Sequence, residues 1–127
     1  MSYYFSKTLD ITFDEAIEEL TNALKAEGFG ILTEIDVQAT LKKKLDVDFR
    51  PYKILGACNP PFAHEALQAE DKIGTMLPCN IILQERENGI EVAAIDPIAS
   101  MSAVNNEKVT EVAGKIQSKL KSVIESL

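Results

Sequence analysis

Side chains that carry reactive chemistry are scarce in this chain of 127 residues, which has two cysteines and one histidine. It has no glycine-rich phosphate loop, since the Gly28-Phe29-Gly30 segment lacks a third glycine and precedes a predicted strand. A Gly-x-Ser-x-Gly nucleophile elbow is missing, as is a close pair of carboxylates in apolar surroundings. The sequence therefore lacks the common signatures of nucleotide-binding proteins and hydrolases.

Long apolar runs and an excess of positive charge are also lacking. No segment approaches the roughly 20 apolar residues of a membrane span, and the first residues show no signal-peptide pattern. The formal net charge is −7, whereas a nucleic-acid-binding protein normally needs a basic face. Two cysteines without an export signal indicate free thiols in a reducing compartment. We expect a cytoplasmic protein that binds neither membranes nor nucleic acids.

Helical spacing of apolar residues predicts two long helices. Residues 12–15 (TFDE) have the form of a capping box, and the apolar stripe that follows them ends near Gly28. A second stripe predicts a helix from about Asn105 to Leu127. The alternation over residues 31–37, where Ile31, Thr33, Ile35 and Val37 share one face, is typical of a half-buried strand.

The remaining patterns complete the order β-α-β-(α)-β-(α)-β-β-α. The Asn88-Gly89 pair predicts a hairpin turn between the last two strands, and Asp96-Pro97 ends the second of them. We therefore predict a single α+β domain over residues 1–127. It is a two-layer sandwich, with a mostly antiparallel sheet of about five strands backed by two long helices. Two helices cover only one face of such a sheet, and the other is left for a ligand or another chain.

The segment from residue 56 to residue 80 contains both cysteines and the histidine. Cys58 ends a predicted strand, and Asn59 is a favourable N-cap for the helix that carries His64. Cys79 and Asn80 begin another strand, on which they face opposite sides of the sheet. Cys58 and Cys79 are neighbours only if their two strands pair, which the sequence leaves open.

These segments resemble a known family. Residues 54–60, 63–67, 77–80 and 94–97 read ILGACNP, AHEAL, LPCN and AIDP. In this order they resemble the bacterial and archaeal domain of unknown function 302 family over essentially the whole chain. The resemblance implies a sandwich similar to one half of the TATA-binding protein, with a strongly bent antiparallel sheet backed by two helices. It also implies a dimer in some cases. The family has no agreed reaction, so the resemblance implies no activity.

Our first functional hypothesis is a small-ligand-binding or sensing module. Six residues with polar or reactive side chains are its candidate binding residues: Cys58, Asn59, His64, Cys79, Asn80 and Asp96. A helix N-terminus beside an uncovered sheet face favours an anionic or partly apolar ligand.

Two alternatives stay open. In the first, the protein is a thiol-dependent enzyme in which Cys58 is the nucleophile, His64 the base and Cys79 a resolving thiol. In the second, it is an interaction domain whose free sheet face makes a homodimer. Two cysteines 21 residues apart with one histidine between them do not form a zinc signature, so we expect no metal site. The sequence leaves any cofactor undetermined.

Overall fold

A computed structural model describes residues 2–127, which form one antiparallel sheet and a layer of helices. The strands are β1 (Tyr4–Leu9), β2 (Gly30–Asp36), β3 (Tyr52–Cys58), β4 (Cys79–Arg86) and β5 (Gly89–Ile95). The helices are α1 (Phe13–Ala26), α2 (Val37–Leu45), α3 (Pro60–Ala69), α4 (Pro97–Ser100) and α5 (Glu107–Glu125), with a 3-10 helix at Asp71–Met76. The predicted α+β class and element order are confirmed; α4 and the 3-10 helix are additional.

Both long helices begin at side-chain caps. The Thr12 hydroxyl accepts from the Glu15 backbone N–H, and the Glu15 carboxylate accepts from the Thr12 N–H, both at 3.1 Å. The predicted capping box of α1 is therefore confirmed. At the start of α5 the Asn106 side chain accepts from the N–H groups of Lys108 and Val109. Such caps satisfy N–H groups that have no partner within the helix.

The sheet order is β1-β5-β4-β3-β2, and every neighbouring pair is antiparallel. The hairpin between β4 and β5 is confirmed, but its two turn residues are Glu87 and Asn88 rather than Asn88 and Gly89. Gly89 instead pairs with Arg86 as the first residue of β5, where its φ is +136°. Glycine is the residue that adopts this backbone conformation without strain.

The hydrophobic core lies on one face of the sheet, between the strands and the helices. Alternate residues of the central strands point into it, among them Leu55, Ile81, Leu83 and Val92. The helices contribute their apolar stripes to the same cluster, with Leu20 of α1 and seven buried residues of α5: Val109, Val112, Ala113, Ile116, Leu120, Val123 and Ile124.

The opposite side of the sheet, here called the open face, carries half-buried and exposed side chains in rows across the strands. The strand register sets a middle row and a lower row. The middle row consists of Ser6, Ala93, Ile82, Ile54 and Ile35. The lower row consists of Thr8, Glu91, Gln84 and Tyr52. The middle row is apolar except at its β1 end, whereas the lower row is mostly polar.

The predicted strand over residues 31–37 is present, but it is mostly exposed rather than half-buried, and it ends at Asp36 rather than Val37. Of the seven residues of β2, only Ile31 is partly buried. Thr33 and Ile35 pair with Gly56 and Ile54 and so lie on the open face. The alternation in the sequence is real, but β2 is an edge strand and its alternating residues face the side that no buried layer covers. Val37 begins α2 instead of ending β2.

None of the helices formed by residues 2–127 has the length and apolar character needed to cross a membrane.

Candidate functional site

The structure brings three of the six candidate residues together around a small cavity in the core. Ala57 pairs with Cys79 across β3 and β4, so Cys58 and Cys79 are close neighbours. Both cysteines and Asn59 line a cavity of about 20 Å³, together with apolar residues of α3 and α5. A site for one water molecule needs about 10–15 Å³, so this cavity is too small for an organic ligand.

Cys79 is a core residue whose thiol resists ionisation. Burial raises the pKa of the Cys79 thiol from its usual 9.0 to about 11, and the neighbouring Cys58 contributes to the same shift. The thiolate, not the thiol, is the nucleophile and the metal ligand. At neutral pH this environment keeps Cys79 in its unreactive form.

Asn59 occupies the N-cap position of α3, but its side chain makes no capping hydrogen bond. Its Nδ2 instead donates to the backbone oxygen of Glu27 at 3.2 Å, beyond the end of α1. Asn59 is buried at this position. The predicted start of the helix at Asn59 is therefore confirmed, but its side chain joins the end of β3 to the end of α1 instead of capping α3.

The other three candidate residues lie apart from this cavity. His64 is exposed on α3. Asn80 lies on the open face, opposite in direction to Cys79, as predicted. Asp96 caps α4 by accepting from the Ile98 N–H at 3.0 Å, and it also accepts from Gln117 Nε2 of α5 at 3.1 Å. The six residues thus do not form one cluster, and their role in binding stays a prediction.

A larger concavity lies on the open face and is here called the groove. Its volume is about 340 Å³. Its floor is formed by β4 and β5, and rings from β3 and from the start of β1 stand at its sides. The lining residues are Tyr3, Tyr4, Tyr52, Asn80, Ile82, Gln84, Glu91, Ala93, Ala94 and Ile95. Asn80 is the one sequence-derived candidate among them.

A chain of hydrogen bonds organises the polar side of the groove. Arg50 Nε donates to Gln84 Oε1 at 2.8 Å, and Gln84 Nε2 donates to Glu91 Oε1 at 2.8 Å. The Arg50 guanidinium also lies 4.4 Å from the ring centre of Phe49 and 5.7 Å from that of Tyr52. These contacts fix the Gln84 amide and orient the Glu91 carboxylate across the sheet.

The groove residues on β3, β4 and β5 are absent from the sequence-derived candidates, because they are separated along the chain and carry no recognised motif. One signal was available for Gln84 and Glu91. A hairpin whose turn is at residues 87–88 places these two residues directly opposite each other, and both are polar at positions that alternate with core residues. No comparable short-range signal brings Tyr4 or Tyr52 to the same face.

Among residues 2–127 there is no group of three or more histidine, cysteine, aspartate or glutamate side chains placed to hold a metal ion.

Comparison with known proteins agrees with this fold. The family model described as "Domain of unknown function DUF302" matches residues 5–127. A crystal structure of an uncharacterized conserved DUF302 protein from Bacillus stearothermophilus superposes with a TM-score of 0.91. It is 27% identical in sequence, and the match covers 98% of each chain. No curated protein matches the chain significantly.

Proposed function

The chain belongs to the DUF302 family, whose description assigns no activity, and from its geometry we propose that it is a small-ligand-binding module whose site is the groove. The combination of a sufficient volume with a lining of aromatic, aliphatic and polar side chains is the observation that supports this proposal most directly. Ligand pockets commonly measure about 300–1,000 Å³, and the groove measures about 340 Å³. The cavity beside the cysteines measures about 20 Å³ and is too small for the same role.

The lining of the groove indicates the chemistry of its ligand. Tyrosine rings and the Ile82 and Ala93 side chains suit an apolar or planar body. Glu91 is the one charged side chain among the lining residues, and one of its oxygens already accepts from Gln84. The ligand we propose is therefore neutral or cationic, with an apolar body and a donor group for Glu91. This proposal departs from the anionic ligand considered from the sequence.

The rival homodimer hypothesis uses the same face. The apolar middle row of the open face, from Ala93 through Ile82 to Ile54, is the observation that favours it. In a homodimer formed through the open face, a second copy of the chain covers the groove and leaves no room for a ligand. The two hypotheses therefore make opposite predictions for variants that fill the groove.

The thiol-enzyme hypothesis has less support from the geometry. Cys79 is buried with a raised pKa, and His64 is exposed on α3 rather than among the residues that line the cysteine cavity. A catalytic base must lie within hydrogen-bonding reach of the proton that it removes. We retain the proposed cytoplasmic location, because Cys58 and Cys79 are both free cysteines, as a reducing compartment allows.

Filling the groove tests the proposal. Thioflavin T, a planar cationic dye whose emission rises when its rings are immobilised, is titrated into the protein. We expect saturable binding to the wild type and at least a tenfold loss of affinity in Ala93→Trp, because the indole occupies the floor of the groove. Ala26→Trp is the matched control, since Ala26 is exposed at the end of α1.

Two further measurements separate the hypotheses. Glu91→Gln keeps the shape of the side chain but removes its charge, so we expect a several-fold loss of affinity for the cationic dye. Sedimentation of Ala93→Trp then tests the rival: if this variant dissociates a wild-type dimer, the open face is a protein interface. Equal dye affinities for the wild type and Ala93→Trp contradict the proposed site.

A further inference from the structure

The strand at one end of the sheet has a backbone edge that no strand of this chain pairs with. β2 is the last strand in the order β1-β5-β4-β3-β2, so only β3 pairs with it. The Lys53 ammonium and the Glu34 carboxylate, 2.7 Å apart, join these two strands on the side of the sheet that carries the core residues Leu55 and Leu83. The free N–H and C=O groups of an edge strand are a template for pairing with another chain.

The helix that follows β2 is held mainly by local interactions. No residue of α2 is buried. The Asp36 side chain accepts from the Ala39 N–H at 2.9 Å, and Lys42 Nζ lies 3.0 Å from an Asp46 carboxylate oxygen on the exposed surface. A nine-residue helix is shorter than the roughly 12–15 residues at which an isolated helix becomes marginally stable in water. Packing against a second chain would therefore stabilise α2.

Exposed apolar side chains are concentrated in the same part of the chain, residues 30–51, here called the arm. Leu32 is 67% exposed, Ile35 49% and Leu45 65%, and Val47 is also exposed. These are four of the nine large exposed hydrophobic residues of the described chain, in a segment of 22 residues. This concentration of exposed apolar side chains in one segment favours an interaction site there.

The charge of the arm identifies its partner. The whole chain carries a net charge of −7, but the arm is neutral, with four acidic and four basic side chains. The acidic residues are Glu34, Asp36, Asp46 and Asp48, and the basic ones are Lys42, Lys43, Lys44 and Arg50. The net negative charge lies outside the arm, chiefly in residues 1–29, with a net charge of −4, and in residues 81–104, with a net charge of −3. Two copies that meet at the arm avoid the like-charge repulsion of those segments.

We propose that the arm binds the arm of a second copy, with β2 pairing antiparallel to β2 across a two-fold axis. A two-fold interface is self-complementary, and an antiparallel edge pairing satisfies this requirement because each strand presents the same groups in reversed order. The result is a continuous ten-stranded sheet. No residue of the arm lines the groove, so both grooves stay open in this dimer.

Sedimentation velocity of the full chain across micromolar to submillimolar concentrations tests the proposal. We expect a reversible dimer in the wild type and at least a tenfold larger dissociation constant for the double variant Leu32→Lys, Leu45→Lys, whose two leucines are both exposed in the arm. The control is Leu67→Lys on α3, because Leu67 is 44% exposed and lies outside the arm. This control should associate like the wild type.

Hydrogen exchange of the wild type gives an independent measurement that does not depend on how the variants fold. Amides of β2 and α2 should become more protected as the protein concentration rises, while those of α5 stay constant. A wild type that is monomeric throughout overturns the proposal. So does a dimer that Ala93→Trp dissociates but the arm variant does not, which assigns the interface to the open face. A protein that binds the dye but stays monomeric supports ligand binding in the groove and contradicts dimerisation through the arm. The two proposals can therefore be rejected independently of each other.

Discussion

Cys79 is a reactive residue type placed in the hydrophobic core. It pairs with Ala57, lies in the core and has a thiol pKa raised to about 11 by burial and by Cys58. Free cysteine in such surroundings behaves as a small hydrophobic residue. Its protonation should therefore affect the stability of the fold rather than any reaction.

The pH dependence of unfolding tests this interpretation. In the unfolded chain the Cys79 thiol loses its proton near its usual pKa of 9.0, whereas in the folded chain it keeps the proton until about pH 11. Alkaline pH thus favours unfolding, and stability present below pH 9.0 is lost as the pH rises toward 11. Urea unfolding at pH 7.5 and 10.5 measures the effect: between these two values the free energy of unfolding should fall by about 2 kcal/mol more in the wild type than in Cys79→Ala.

Cys58→Ala is the control for this measurement, because it removes the neighbouring thiol and retains Cys79. It should keep most of the alkaline destabilisation. If Cys79→Ala loses as much stability at pH 10.5 as the wild type does, burial of Cys79 is not the source of the pH dependence.

At the scale of elements, the β4–β5 hairpin illustrates a local signal whose exact placement depends on the rest of the fold. The Asn-Gly pair predicts the hairpin, but Gly89 belongs to β5 and approaches the neighbouring strand β1 closely. A Cβ at Gly89 would overlap the backbone oxygen of Leu9. The glycine is therefore required by its φ of +136° and by the backbone of β1.

Substitution of two glycines distinguishes this requirement from a general preference. Gly89→Ala should lower the free energy of unfolding by about 2–4 kcal/mol, because it combines backbone strain with a clash against β1. Gly114→Ala in α5 should instead raise it by about 0.5–1 kcal/mol, since a Cβ there has no atom within 4 Å and alanine favours helix. Chemical denaturation measures both, and a stable Gly89→Ala protein contradicts this account of the hairpin.

At the scale of the whole molecule, the distribution of charge separates the arm from the rest of the surface. All of the net charge of −7 lies outside residues 30–51. In the proposed dimer the two acidic bodies repel each other over distances comparable to the Debye length, which is about 10 Å at 0.1 M salt. The short-range contacts in the arm are mainly apolar and depend little on salt.

The salt dependence of association tests this picture. Raising sodium chloride from about 20 mM to about 200 mM screens the repulsion between the bodies, so the dissociation constant of the dimer should fall several-fold. Leu67→Lys should follow the wild type in the direction of this change. A dimer that dissociates as salt rises would depend on attraction between opposite charges, contrary to the apolar interface proposed for the arm.

Much of the fold follows from short-range patterns in the sequence. The capping box at Thr12 and Glu15 begins α1, the apolar stripe of α5 matches its buried face, and Asp96-Pro97 ends β5. These features depend on residues within a few positions of one another, so backbone geometry and burial of one helix face suffice to predict them. The family resemblance, carried by short motifs in order, is confirmed by the match over residues 5–127.

Patterns within single segments of the sequence suffice to predict the class, the element order and the location of the two long helices. Which side chains of different strands become neighbours follows only from the assembled sheet. Pairing between β3, β4 and β5 places Tyr52, Gln84 and Glu91 in one row, and it also brings Cys58 close to Cys79. It also makes β2 an edge strand whose alternating residues stay exposed. The reason is that strand register and sheet order arise from hydrogen bonds between segments distant in the chain, and these leave no local pattern to read.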